Sequence, residues 1–225
     1  SSLTDAFTAL AHAYQAAHPG THVELEFAAS STLATQILQG APADVFASAN
    51  VAQMRRVTDA GLQQGPATPF AGNRLAVLVP QHASIHTLAD LARPGLLLVL
   101  AAPQVPAGHY AELMLDAAAK AAGYGPAFAR AVRANVVSRE PNVRQTAAKV
   151  ALGAADAAIV YATDARGLGG VRAVPIPAAL QPSIVYPLVA LRHGGDPAGA
   201  TAFRAFVLSP AGTAALASYG FTPPP

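Results

Sequence analysis

The chain has 225 residues, 52% of them apolar and 12% charged, with a net charge of +2 from 14 basic and 12 acidic side chains. This composition excludes a disordered chain, no apolar run reaches the ~18 residues of a membrane-spanning helix, and no basic stripe with interleaved aromatics points to nucleic acid. Cysteine is absent, which excludes a disulfide framework and thiolate metal sites while leaving both reducing and oxidising compartments open.

Ser1-Ser2-Leu3-Thr4-Asp5 opens the first predicted helix, whose apolar face is Leu3, Phe7, Leu10 and Tyr14, and His18-Pro19-Gly20 ends it. Val23, Leu25 and Phe27 alternate with polar neighbours and predict a strand; Leu33, Ile37 and Leu38 then follow helical spacing up to Gly40. Ser30 stands at the switch, where an N-cap belongs and where free backbone N–H groups and the positive helix end can hold an anion without a cationic side chain. A short strand at 43–47 and a helix from near Asn50 to Gly61 follow, then strands at 73–80 and 96–101 with a helical turn between them. Pro106 marks the start of a long alanine-rich helix, because its missing N–H would be unpaired there in any case. A short helix around Phe128, a strand at 135–137, a helix opened by Pro141-Asn142 and a strand at 156–161 come next. Two strand-like runs, 171–176 and 184–191, lead to two closing helices and a Pro-rich tail expected to fray. Strand and helix alternate without hairpin turns, which predicts βα units and mainly parallel sheets. Such sheets bind ligands at the carboxyl ends of their strands.

The runs SLTDAF (2–7), FAASSTLATQI (27–37), GAPADVFASA (40–49), NRLAVLVP (73–80), VPAGHYA (105–111), NVRQTAAKV (142–150), AIVYATDA (158–165) and YGF (219–221) resemble the periplasmic molybdate-binding proteins of ABC transporters, over nearly the whole chain and in the family's order. The resemblance implies an α/β, two-lobed type II periplasmic binding protein fold. Each lobe is then a mainly parallel sheet flanked by helices, with lobe I at 1–79 and 184–225, lobe II at 80–183, and the ligand in the cleft between them. It places the oxyanion ligands on Ser2 and Ser30, through hydroxyl and backbone N–H, on Ala107 and Val143 through backbone N–H, and on the Tyr161 hydroxyl. It also implies a non-enzymatic monomer that needs no cofactor, carries molybdate or tungstate, and delivers the ion to a membrane permease. The location implied is the periplasm, the sequence being that of a mature form without its signal peptide. Two departures stand out. The family carries a strand of about ten residues before the serine matching Ser2, which is expected in the natural protein, and Ala102-Pro103-Gln104 replaces a slightly longer Asp-Pro loop.

The chemistry of such a set is coherent. About seven hydrogen bonds to a dianion, at roughly 1.5–3 kcal/mol each, sum to about 10–20 kcal/mol before desolvation and closure are subtracted, and a micromolar affinity needs about 8 kcal/mol. Sulfate, being smaller, would be under-coordinated in a cage fitted to molybdate, and an all-donor set leaves no acceptor for the proton of hydrogenphosphate. Two other functions stand beside this one: a carrier for another tetrahedral oxyanion such as sulfate or phosphate, and a serine hydrolase, against which no GxSxG elbow is found. Without the resemblance, Ser2 and Ser30 read as plain caps and Tyr161 as a core-edge residue. His12, His18 and His22 fit no zinc spacing, Asp44 and Asp164 default to capping, and Arg144 to the surface.

Overall fold

The structure, a computed structural model, describes residues 1–225. In chain order its elements are α1 (Thr4–Ala17), α2 (Ser30–Leu38), β1 (Val45–Ala47), α3 (Val51–Asp59), β2 (Gln63–Asn73), β3 (Leu75–Pro80), β4 (Leu98–Ala101), α4 (Pro106–Lys120), α5 (Gly125–Ala134), β5 (Val136–Glu140), α6 (Val143–Ala151), β6 (Ala157–Tyr161), β7 (Val171–Pro175), β8 (Ile184–Leu191), α7 (Pro197–Val207) and α8 (Pro210–Ser218), with short 3-10 turns at 88–92, 162–165 and 178–180. The chain divides into two compact units, residues 1–73 with 184–225, and residues 74–183. The division falls at Asn73/Arg74, ahead of the expected 79/80, because all of β3 is paired inside the second unit's sheet with β6 and β7.

In the first unit β8 is the central strand, with β1 and β2 antiparallel on its two sides. Its sequence IVYPLVAL is apolar throughout, as a strand covered on both faces must be. On one face Tyr186 meets Phe70 and Phe221, and this aromatic cluster continues through Phe7 and Phe203 to Tyr14. On the other, Val189 and Leu191 join Phe46, Ala34, Met54 and Val57, which α2 and α3 supply. The parallel arrangement expected from the βα alternation is therefore not that of this sheet. β8 returns from the second unit and runs against both β1 and β2.

The segment 21–28 is a second correction. Its side chains alternate as expected as far as Phe27, with Val23, Leu25 and Phe27 half-buried and His22, Glu24 and Glu26 exposed, but its backbone joins no strand ladder. It runs beside a groove of about 600 Å³ whose other walls include β1, α1 and α2. Strand assignment needs a partner within hydrogen-bonding distance, and none of the paired strands reaches this segment.

The second unit holds a five-stranded sheet in the order β5-β4-β6-β3-β7. Here the expected parallel pairing is present where βα units follow one another: β4 is parallel to β5 and to β6. β3 and β7 run antiparallel. α4 packs on β4 and β6, α6 on β6, β3 and β4, and α5 on α4. Arg133 of α5 and Arg139 of β5 both reach Glu112 of α4, at 2.9 and 2.8 Å.

Two local devices fix ends that matter below. Asn50 and Asn142 are N-caps whose side-chain oxygens accept from Gln53 N and Gln145 N, each at 2.9 Å, the Asn-x-x-Gln spacing being visible in the sequence. The tail, expected to fray, is instead paired: Gly72 and Thr222 exchange backbone hydrogen bonds of 2.7 and 3.0 Å, and Phe221 is buried against Tyr186. A Cβ on Gly72 would stand 2.7 Å from both Pro223 O and Thr222 Oγ1.

Gly72→Ala is accordingly expected to destabilise the protein by about 1–3 kcal/mol, seen as a melting temperature several degrees lower; an unchanged value would show that the tail yields freely. Asn142→Ala is expected to cost about 1 kcal/mol, measured by denaturant titration, with the α6 start loosened but the sheet intact.

Candidate functional site

In the second unit β4, β5 and β6 bring their carboxyl ends, Ala101, Glu140 and Tyr161, to one edge of the sheet, and Ala102 N donates to Glu140 O at 2.9 Å across it. α4 leaves this edge after a tight turn in which Val105 N donates to Ala102 O. The first bond along the helix is His109 N to Val105 O, at 2.9 Å, so the amides of Ala107 and Gly108 precede the helical ladder. Gly108 presses on the strand end: a Cβ there would overlap the carbonyls of Ala101 and Ala102. Only glycine lets the helix begin this close to β4.

α6 leaves the same edge after β5. Its cap Asn142 accepts through its side chain from Gln145 N and through its carbonyl from Thr146 N at 3.2 Å, so the Val143 amide also lies ahead of the ladder. Tyr161 ends β6 and is 1% exposed; its ring meets Tyr110 of α4 edge-on at 6.4 Å, and its amide donates to Asp164 Oδ2 at 3.1 Å. The structure thus brings Ala107, Val143 and Tyr161 to one edge of one sheet. Strands about 4.8 Å apart place the two helix starts and the tyrosine within about 10 Å.

In the first unit Ser2 and Ser30 are also neighbours. The Ser1 nitrogen donates to Ala28 O at 2.6 Å, which holds the turn before α1 against the turn before α2. The sequence reading made Ser30 the N-cap of α2, but the cap is Ala29, in extended conformation, with its carbonyl accepting from Leu33 N at 3.0 Å. Ser30 is the first helical residue, and its hydroxyl turns away from its own helix to accept from Ala49 N at 2.9 Å. That amide is itself fixed: Ser48 N donates to Pro187 O of β8, and Ser48 Oγ donates to Asn50 O at 2.8 Å. The amides of Ser30 and Ser31 precede the ladder of α2, which begins with Thr32 N and Leu33 N. Ser2, likewise, lies before α1 proper, which starts at Thr4, and its Oγ accepts from the Tyr186 hydroxyl at 3.3 Å.

Each unit therefore presents uncharged donors at helix starts, a chemistry suited to a polyoxygen anion. Sequence reasoning missed the residues behind these donors. Gly108 was readable as the glycine of a Pro-Ala-Gly helix start, whereas Ala49, Asn73 and Tyr186 carry no local signal.

Comparison with known proteins agrees with this chemistry. The profile of the bacterial extracellular solute-binding protein family matches residues 1–222. A protein named molybdate-binding protein ModA from Mycobacterium tuberculosis is 39% identical over 226 residues, covering 99% of this chain and 82% of that one. Among solved structures, the periplasmic molybdate-binding protein of Azotobacter vinelandii superposes with a TM-score of 0.84 at 21% identity, covering 100% of this chain and 96% of that one. The sulfate-binding protein SubI of Mycobacterium tuberculosis superposes with a TM-score of 0.86 at 22% identity, covering 97% and 82%. At these identities the two structures speak to the fold alone, which is the type II periplasmic binding protein architecture. By its family profile and by identity along its whole length, the chain belongs to the bacterial extracellular solute-binding proteins, in their ModA group.

Proposed function

We propose that this protein captures molybdate, and tungstate with it, outside the cytoplasmic membrane and hands the ion to the permease of an ABC transporter. The observation that carries the reading is the 39% identity, over 99% of the chain, to a protein named for molybdate binding. The chemistry of the two donor sets supports it. Ser2 and Ser30 would supply hydroxyl and amide protons, Ala107 and Val143 amide protons, and Tyr161 its hydroxyl. The protein is a binding protein and not an enzyme, in keeping with its family. It is proposed to work as a monomer in the periplasm; no helix is long and apolar enough to cross a membrane.

Uncharged donors serve a carrier well. Backbone amides at helix starts are oriented by the fold before the ion arrives, so little ordering cost is charged to binding. Their attraction is short-ranged and less sensitive to salt than that of a lysine or arginine. Cage size separates molybdate and tungstate from sulfate, because a smaller ion cannot reach all the fixed donors at once.

Titration calorimetry is expected to give a 1:1 complex with molybdate and with tungstate at micromolar Kd or below. Sulfate should displace molybdate only in large excess; displacement at equal concentration would assign the site to sulfate. Ser30→Ala should weaken molybdate binding by about 1–3 kcal/mol, and it should also lower stability by about 1 kcal/mol, because Ala49 N loses its acceptor. Unchanged affinity in this variant would remove the Ser30 hydroxyl from the ligand set and leave at most its amide.

A further inference from the structure

Two buried polar side chains lie behind Ser2 in the first unit. Tyr186, in the middle of β8, is fully buried, and Asn73, at the end of β2, is 7% exposed. Asn73 Nδ2 donates to Tyr186 Oη at 3.3 Å, and the Tyr186 hydroxyl donates to Ser2 Oγ at 3.3 Å. The tyrosine ring stands among Phe70, at 6.2 Å, and Phe221, at 5.5 Å. A phenylalanine would fill that space equally well, so packing alone does not call for a hydroxyl here, and burying one without a partner is costly.

The order of protons along this line follows from what each group can give. A carboxamide nitrogen only donates, and a phenol has a single proton. With the Asn73 amide donating into Oη, the one proton of Tyr186 is directed onto Ser2 Oγ. Ser2 thereby takes a proton from the protein side, and its own is turned toward the other side. Ser30 is held in the same sense by an independent group, since Ala49 N fills one of its acceptor positions.

We propose that Asn73 and Tyr186 form a proton-ordering relay that holds the Ser2 hydroxyl as a donor to the bound oxyanion, and that Tyr186 is thereby a specificity-determining residue directed against hydrogen-bearing anions. This rests on Ser2 being one of the oxyanion's ligands. An unconstrained serine hydroxyl donates or accepts as its partner requires. Held as a donor, it suits molybdate, tungstate and sulfate, whose oxygens carry no proton. It opposes hydrogenphosphate, whose P–OH then enters a cage with nothing to receive its hydrogen bond. Tyr186 touches Ser2 and not the ion, so it is a positioning residue.

The test compares sulfate with phosphate, which match in size and, at pH 8, in charge, and differ in the proton. Each is titrated against bound molybdate, and the ratio of the two competition constants is read for the natural protein, Tyr186→Phe and Asn73→Asp. Tyr186→Phe is expected to stay folded with a melting temperature lower by no more than a few degrees, since Asn73 Nδ2 loses this acceptor, to lose about tenfold in molybdate affinity, and to narrow the preference for sulfate over phosphate about tenfold. Asn73→Asp puts an acceptor at the head of the relay and reverses it; its added negative charge weakens both dianions alike, so a narrowed ratio reports the reversal itself. In a double-mutant cycle on molybdate affinity, Tyr186→Phe should have little further effect once Ser2 is alanine. An unchanged sulfate-to-phosphate ratio in both variants, or full additivity with Ser2→Ala, overturns the relay. If the natural protein binds molybdate and Ser2→Ala binds it equally well, the assignment of the Ser2 hydroxyl is what fails, and the relay falls with it.

Discussion

The constraint on which the molecule depends is that a helix cannot satisfy its own first amides. Wherever α2, α4 or α6 begins, two or more N–H groups point past the helix end, and the fold decides where they point. In the second unit the parallel strands β4, β5 and β6 make that decision jointly, because a helix following a parallel strand starts at the strand's carboxyl end. The pressure of Gly108 on Ala101 and Ala102, and the cap that Asn142 provides, then remove the remaining freedom. Apart from the Tyr161 hydroxyl these donors are backbone, and the strands β4 and β6 beside them are fully buried.

The first unit reaches an equivalent result differently. Its strands run antiparallel about β8, so its two serines are not set by a shared strand direction. They are set by cross-links: Ser1 to Ala28, Ala49 to Ser30, and Tyr186 to Ser2. Each link comes from a residue far away in sequence: the first ties the starts of α1 and α2 together, and the other two tie them to β8 and to the turn after β1. Hydroxyl donors need this additional control, because a hydroxyl can rotate and a backbone amide cannot.

Much of this was legible in the sequence, and the exceptions have causes. Helices with a cap or an initial proline, such as those at Asn50, Pro106, Asn142 and Pro197, were placed closely because the residues that mark their starts also fix those starts physically. The apolar runs of β3, β4, β6 and β8 read as buried strands for the same kind of reason. β2 escaped notice: Gln63-Gln64-Gly65-Pro66 has neither alternation nor strand propensity, and it is held by its pairing with β8 through two register shifts. Val23 to Phe27 shows the reverse case, a correct alternation without a ladder, since periodicity reports which face is covered and says nothing of a partner. Within the candidate site, Ser2, Ser30, Ala107, Val143 and Tyr161 came from resemblance. Composition marks no backbone N–H as special, and Asn73 and Tyr186 became visible only when 113 residues of separation were folded away.

The pairing of Thr222 with Gly72 and the burial of Phe221 against Tyr186 carry a further meaning. β2 lies at the margin of its sheet, where open strand backbones invite other chains to add on. The carboxyl-terminal segment shields part of that margin and at the same time buttresses the tyrosine behind Ser2. Proteolytic trimming back to Tyr219 would therefore bare an adhesive border and, in a single stroke, take away the ring that braces Tyr186, linking the integrity of the chain's end to the order of the first unit's core.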